Sequence, residues 1–251
     1  MPKKHPMLSP LVAFWLFQSA GVAADFLKVD YEDGRINLPE IGVSAVLPNA
    51  TDAIRATKAF SRSGAYSVRT KVDCTDQYIS AGKHRAESDA MKSRSARYNP
   101  GDRRRYQFSV MLDKDWQMSK TTAVDIIWQF KRTDGGPDMF VGVKRGSIVL
   151  RHMKNQDVLV KSGKPGMWMD FRFDISWSTG KDGLVECWVR TGKDGQFSKV
   201  LTYSGPNIDG TRTKQFGYVK WGLYRPDAEQ AVDVTKARIV YHDDILIADL
   251  P

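Results

Sequence analysis

"MDFRFDISWS", residues 169–178, alternates without a break: Phe171, Phe173, Ile175 and Trp177 stand between Asp170, Arg172, Asp174 and Ser176. Successive side chains of a strand point to opposite faces, so this period of two predicts a strand with one face in a core and one in water. Similar runs cover 106–112, 124–131, 139–144, 147–152, 184–190, 199–203, 217–224 and 238–248. Turn chemistry separates them, in "KRTDGGPD" (131–138), "KRGS" (144–147), "KSGKPG" (161–166), "STGKDG" (178–183) and "RTGKDGQ" (190–196); Gly, Pro, Asn and Asp supply the dihedral angles that tight connections need. Short strands at this spacing predict an all-β sandwich of two antiparallel sheets. Helix is scarce: 49–60 reads as a short turn or helix, and 227–237 as another.

Residues 1–24 combine Lys3 and Lys4, an apolar stretch from Leu8 to Phe17 and small residues from Ser19 to Ala24. That is the pattern of a secretory signal peptide, so the chain is expected in the periplasm or outside the cell, without a membrane anchor after cleavage. The remaining 25–251 has the length of one sandwich domain, with no repeat and no shift in composition. Removing Lys3 and Lys4 from the formal +9 leaves +7. Such an excess attracts polyanions: acidic polysaccharide, nucleic acid or anionic lipid. Nucleic acid is disfavoured, because export removes the usual partner and "GDRRRY" (101–106) has no recognition motif beside it. Cys74 and Cys187 are the only cysteines; an exported chain permits a disulfide between them, and only geometry decides it.

Three polar groups interrupt apolar strands. In "KHRAES" (83–88), Arg85 and Glu87 share a face and His84 takes the other; in "IIWQFKR" (126–132), Gln129 and Lys131 share a face; in "YVKWGLYRP" (218–226), Tyr218, Lys220 and Tyr224 share one, with Arg225 next in sequence. Singly, each has a plain explanation as an ion pair, a strand-end charge or a rim aromatic. Together they are the groups needed to act on a uronate sugar by β-elimination. The proton on C5 becomes removable when the neighbouring carboxylate is offset by Arg85, Gln129 and a lysine. A base then takes that proton and an acid protonates the departing O4. A tyrosine whose pKa is lowered by a nearby cation serves either role. Glycoside hydrolysis needs two carboxyl groups flanking the bond, and no such acidic strand pattern occurs. Asp243 and Asp244 are adjacent and so alternate faces, which suits a structural or calcium-linked role. No G-x-S-x-G elbow is present.

With "WMDFRFDISWS" and "RIVYHDDILIA", these groups resemble the heparin-lyase-I-like and glucuronan-lyase-like polysaccharide lyases over roughly residues 80–250. The resemblance implies a concanavalin-like β-jelly-roll and an enzyme that cleaves a uronic-acid polysaccharide such as glucuronan, alginate or a heparin-like chain, leaving unsaturated products. "YVKWGLYR" is similar to the family's Y-F-K-x-G-x-Y stretch, shared with jelly-roll alginate lyases, so Tyr224 matches the catalytic tyrosine and Lys220 the lysine before it. "HRAE" resembles the arginine and glutamate strand, and Gln129 falls on the glutamine of the Q-x-H element. The chain departs in carrying Lys131 where the family often has histidine, and Met169 where another histidine is often seen. The base is therefore open between Lys131, His84 and Tyr224 itself. Arg85, Gln129, Lys220, Glu87, Arg225 and Tyr218 are the expected substrate-binding set. No cofactor is required by this chemistry, calcium is a possible ion, and a monomer is expected. The rival is a carbohydrate-binding protein of the same fold without activity, and a glycoside hydrolase comes third.

Overall fold

The alternation in 169–178 holds: Phe171, Phe173 and Ile175 are fully buried and Trp177 is 1% exposed. The structure, a computed structural model, describes residues 25–250 except 134, 213 and 214; the expected leader at 1–24 lies outside them. The described chain forms β1 (Asp25–Val29), β2 (Ser44–Val46), β3 (Ile54–Thr57), β4 (Ser67–Val72), β5 (Ile79–Ser80), β6 (Lys83–Asp89), β7 (Arg103–Leu112) and β8 (Val124–Arg132). It continues with β9 (Pro137–Lys144), β10 (Ser147–His152), β11 (Asn155–Val160), β12 (Trp168–Ser176), β13 (Leu184–Thr191), β14 (Ser198–Ser204), β15 (Gly217–Arg225) and β16 (Arg238–Asp249).

These strands build two antiparallel sheets. One runs β14-β13-β12-β7-β16-β4-β3 with β1 beside β16, and the other runs β11-β10-β9-β8-β15-β6-β2 with β5 beside β6. We call the second the site sheet. The sheets pack through aromatic side chains. Phe108 of β7 stacks on Trp128 of β8 with centroids 4.0 Å apart, and Trp128 meets Trp221 of β15 at 5.9 Å. Each such ring removed from water contributes about 1.5–3 kcal/mol. The rings on β8 and β15 therefore fix which face of the site sheet turns inward, and their strand neighbours must turn outward.

Several expectations change. Residues 49–60 hold a turn, closed by the Ala53 N–H on the Ala50 carbonyl, and then strand β3 rather than helix, because Ile54–Thr57 pairs with β4. Residues 227–237 keep only a short 3-10 turn, Ala228–Gln230. The outer face of β12 is not simply wet: Asp170 is 4% exposed, held by Arg62, Arg190 and Ser109, and Asp174 is gripped by Arg105 at 2.7 Å. Met169 is fully buried in the core, which makes it a packing residue of the opposite sheet rather than a substrate contact. Cys74 and Cys187 are both free; Cys187 lies in the core, while Cys74 follows β4 beside Arg225.

Asp243 and Asp244 act within the fold. The Asp243 carboxylate accepts the backbone N–H of Arg62 at 2.8 Å, of Ser63 at 3.4 Å and of Asp244 at 2.8 Å, and Asp244 accepts the Ser63 hydroxyl. They tie the segment around Arg62 onto β16. Among the described residues no group of three or more His, Cys, Asp or Glu side chains is placed to hold a metal.

Candidate active site

The site sheet carries its chemistry on the face turned away from the core. Ala86, Trp128, Phe130, Val219, Trp221 and Leu223 pack inward, so their alternating neighbours Arg85, Glu87, Asp89, Gln129, Lys220 and Tyr224 take the outer face. Register then gathers them. Lys220 sits between Asp89 on one side and Gln129 on the other, Gly222 faces Glu87, and Tyr224 faces Arg85.

At the centre is a buried polar network. Lys220 Nζ donates to Glu87 Oε2 at 2.5 Å, and the Gln129 amide nitrogen donates to Glu87 Oε1. Lys220, Glu87 and Gln129 are 6%, 2% and 2% exposed. A buried charge is tolerated only when paired and hydrogen-bonded, which Glu87 achieves on both oxygens. The plain alternative for Arg85 and Glu87, an ion pair along one strand face, is not what forms. Instead the Arg85 guanidinium lies over the Tyr224 ring, 4.5 Å from its centroid, and donates to the Ala81 carbonyl at 3.1 Å.

Gly222 makes this arrangement possible. It has a φ of 129°, and a Cβ there would stand 2.6 Å from the Ala86 carbonyl oxygen and 2.8 Å from Glu87 Cα. Only glycine lets β15 approach β6 so closely. The pairing of β15 with β8 shifts register between Trp221 and Tyr224, a bulge of the kind that re-aims a side chain. No side chain therefore stands between Lys220 and Tyr224 on the outer face.

Tyr224 is half-buried. Burial raises its phenol above the ordinary value, Arg85 pulls it down, and Glu87 and Asp227 push it up; the net direction is upward. The expectation of a lowered tyrosine pKa is thus reversed, because desolvation outweighs the single cation. Tyr218 is pushed up to about 12 by burial first and then by Asp89 and Glu87. Both phenols hold their protons at neutral pH. Burial likewise raises the carboxyl of Asp89, an outer-face neighbour of Lys220 that the sequence motifs did not single out.

Three expected residues are elsewhere or otherwise engaged. Arg225 is 1% exposed and turns to the inner side, where its Nε meets Asp125 Oδ1 at 2.9 Å; Arg238 meets the other oxygen at 3.2 Å. It is a buried cation paired within the fold, on the face opposite Tyr224. His84 pairs laterally with Arg225 and Ile79, on the face opposite Tyr224, and lines a separate cavity of 240 Å³ with Ile79, Pro226, Ala228 and Gln230. Lys131 lies opposite Tyr218, and its ammonium donates to the carbonyls of Arg132 and Gly135. An ammonium holding two carbonyls acts as a donor, not as a base.

An apolar cluster adjoins the tyrosine: Val124, Ile126 and Phe140 pack together with Tyr224 against them. Phe140 was legible as the aromatic out of phase with Met139, Val141 and Val143, yet a single outward ring draws little notice before pairing is known.

A family model described as polysaccharide lyase matches residues 29–246. No curated protein matches the chain. Among solved structures, the chain is similar to the endo-β-1,4-glucuronan lyase of the fungus Trichoderma reesei, with a TM-score of 0.61 and 18% identity over 78% of this chain and 87% of that one. It is similar to an alginate lyase, AlgAT5, of polysaccharide lyase family 7, with a TM-score of 0.59 and 11% identity over 88% of this chain and 100% of that one. It is also similar to the catalytic domain of a glycoside hydrolase family 131 protein from Coprinopsis cinerea, with a TM-score of 0.58 and 13% identity over 88% and 93%. At these identities the likeness to solved structures establishes the jelly-roll fold.

Proposed function

The chain belongs to the polysaccharide lyase family, and from that premise we propose that it cleaves a uronic-acid polysaccharide by β-elimination at Tyr224. The observation that carries this is the Tyr224 ring with the Arg85 guanidinium 4.5 Å from its centroid, on the same sheet face as the Lys220–Glu87–Gln129 network. The glucuronan and alginate lyases of like fold support the substrate class.

With Lys131 engaged by carbonyls and His84 on the other face, Tyr224 serves as both acid and base. Its hydroxyl proton passes to O4 as the C4–O4 bond breaks. Its oxygen receives the C5 proton, the C4=C5 double bond forms, and the neutral phenol is regenerated. Arg85 offsets negative charge on the phenol oxygen during the exchange, and the cationic Lys220 and the Gln129 amide offset the substrate carboxylate. One residue can work on both atoms only if H5 and O4 lie on the same face of the sugar ring. Glucuronate- and mannuronate-type chains meet that condition, and guluronate does not.

No cofactor enters these proton transfers. A monomer acting outside the cytoplasm, with its leader removed, fits a polymeric substrate and a formal +7 charge after residue 24. The test is incubation of the purified chain with glucuronan, polymannuronate, polyguluronate and heparin-like polymers, following ultraviolet absorbance of the unsaturated end. Absorbance rising on the first two supports the reading. New reducing ends without absorbance point to hydrolysis, and binding without either product points to a carbohydrate-binding protein.

A further inference from the structure

Strand register lays one continuous line of outward residues across the site sheet. Asp89, Lys220, Gln129, Phe140, Arg151 and Gln156 are successive lateral partners on β6, β15, β8, β9, β10 and β11. Lateral partners in an antiparallel ladder share a face, so the line forms a floor crossing the strands. One half of it is the Lys220–Gln129 network already described. The other half ends at Arg151.

Arg151 is exposed and its guanidinium lies 5.8 Å from the centre of the Phe140 ring. Among the described residues no carboxylate pairs with it, unlike Lys220, Arg105 and Arg190, which each hold one. Its lateral neighbour Gln156 receives a hydrogen bond from Lys144 at 3.2 Å, so this end of the floor carries two cations. Strands lie about 4.8 Å apart, which places Arg151 about 14 Å from Lys220 and about 10 Å from Gln129. The guanidinium, beside Phe140, stands one strand further out than the Lys220–Gln129 network assigned to the carboxylate of the sugar held at Tyr224. Phe140, the lateral partner of Arg151, packs with Ile126, Val124 and Tyr224, an apolar surface suited to the C–H face of a sugar ring.

We propose that Arg151 binds the carboxylate of a second uronate in the same chain, with Phe140 beneath the intervening sugar, and so sets a requirement for charge beyond the sugar that reacts. This rests on the lyase reading of the Tyr224 site. Arginine's planar fork suits bidentate capture of a carboxylate, which lysine does not reproduce.

The test compares Arg151→Gln with Arg145→Gln. Both remove one positive charge, and Arg145 is an exposed residue in the turn between β9 and β10, so the pair separates a specific contact from the general field. On a hexamer of glucuronate, Arg151→Gln is expected to raise KM about fivefold, at the upper end for a solvent-exposed charge pair, with kcat within twofold. Arg145→Gln is expected to leave KM within twofold, and Arg151→Lys to recover only part of the loss. Equal effects of Arg151→Gln and Arg145→Gln would overturn the proposal. If the native chain yields no unsaturated product, the lyase reading fails by itself, and calorimetric titration with the same hexamer then decides the subsite. Affinity lost in Arg151→Gln alone sustains it; affinity unchanged, or no binding by the native chain, overturns it.

Discussion

Lys220 Nζ lies 2.5 Å from Glu87 Oε2, joining residues 133 apart in sequence whose side chains are 8% and 2% exposed. The pair holds together β15 and β6, the two strands that carry Tyr224 and Arg85 opposite each other.

Removing one partner of this pair leaves a buried charge uncompensated. Glu87→Gln should cost about 3 kcal/mol of stability, seen as a thermal midpoint lowered by roughly 6–12 °C. The double variant Glu87→Leu with Lys220→Met should recover much of that loss while remaining inactive. A midpoint unchanged in Glu87→Gln would mean the pair is not buried in solution.

Tyr224→Phe deletes one oxygen and little contact area. Turnover should fall by about 10²–10⁴, the range of general acid–base catalysis, with KM changed less than about twofold and the thermal midpoint nearly constant. Retained turnover would take the proton transfers away from Tyr224.

Lys131→Ala and His84→Ala test the alternative bases. Lys131 is bound to backbone carbonyls and His84 lies on the other face. Each variant should keep kcat within about threefold, far short of the loss of at least about a hundredfold that removal of a general base brings. A hundredfold drop in either would identify it as the base.

The raised phenol of Tyr224 sets the alkaline limit. Its folded value lies above the ordinary 10.0, so the protonated form persists through neutral and mildly alkaline pH. A profile of kcat/KM, which reports the free enzyme, should stay level until pH exceeds about 10. A fall centred near neutrality would assign the acid to a different group.

Asp243 makes stability fall with rising pH. Burial lifts its carboxyl from 3.8 to about 7, so between those values the folded chain binds more protons than the unfolded one. The stabilisation from this group is fully present below about pH 4 and is lost as pH climbs through about 7. The difference in unfolding free energy between Asp243→Asn and the native chain should therefore drift in the native chain's disfavour across that window. A flat difference would show that Asp243 is ionised throughout.

Much of this was legible along the chain, for definite reasons. The strands centred on Phe108, Trp128, Phe173 and Trp221 were plain, because alternation is a local property and aromatic rings mark the buried side. The edge strands β2, β3 and β11 were not, since short half-exposed segments carry weak alternation and exist by virtue of their partners. The outer-face grouping of Arg85, Glu87, Gln129, Lys220 and Tyr224 followed from parity within each strand. Arg225, next to Tyr224 in sequence, takes the opposite face because adjacent strand residues alternate, and pairs with Asp125 there.

The sequence by itself determined an all-β sandwich and the identity of the outward polar side chains, because period-two patterning and turn chemistry act over a few residues. Only the tertiary structure decided who touches whom. Glu87 turned to Lys220 and Gln129 instead of Arg85, Arg85 capped Tyr224, and Phe140 and Arg151 joined the floor, because lateral register between strands distant in sequence is set by the packing of both sheets. The direction of the Tyr224 pKa was settled there too, since desolvation depends on what surrounds a group in space and not on its neighbours along the chain.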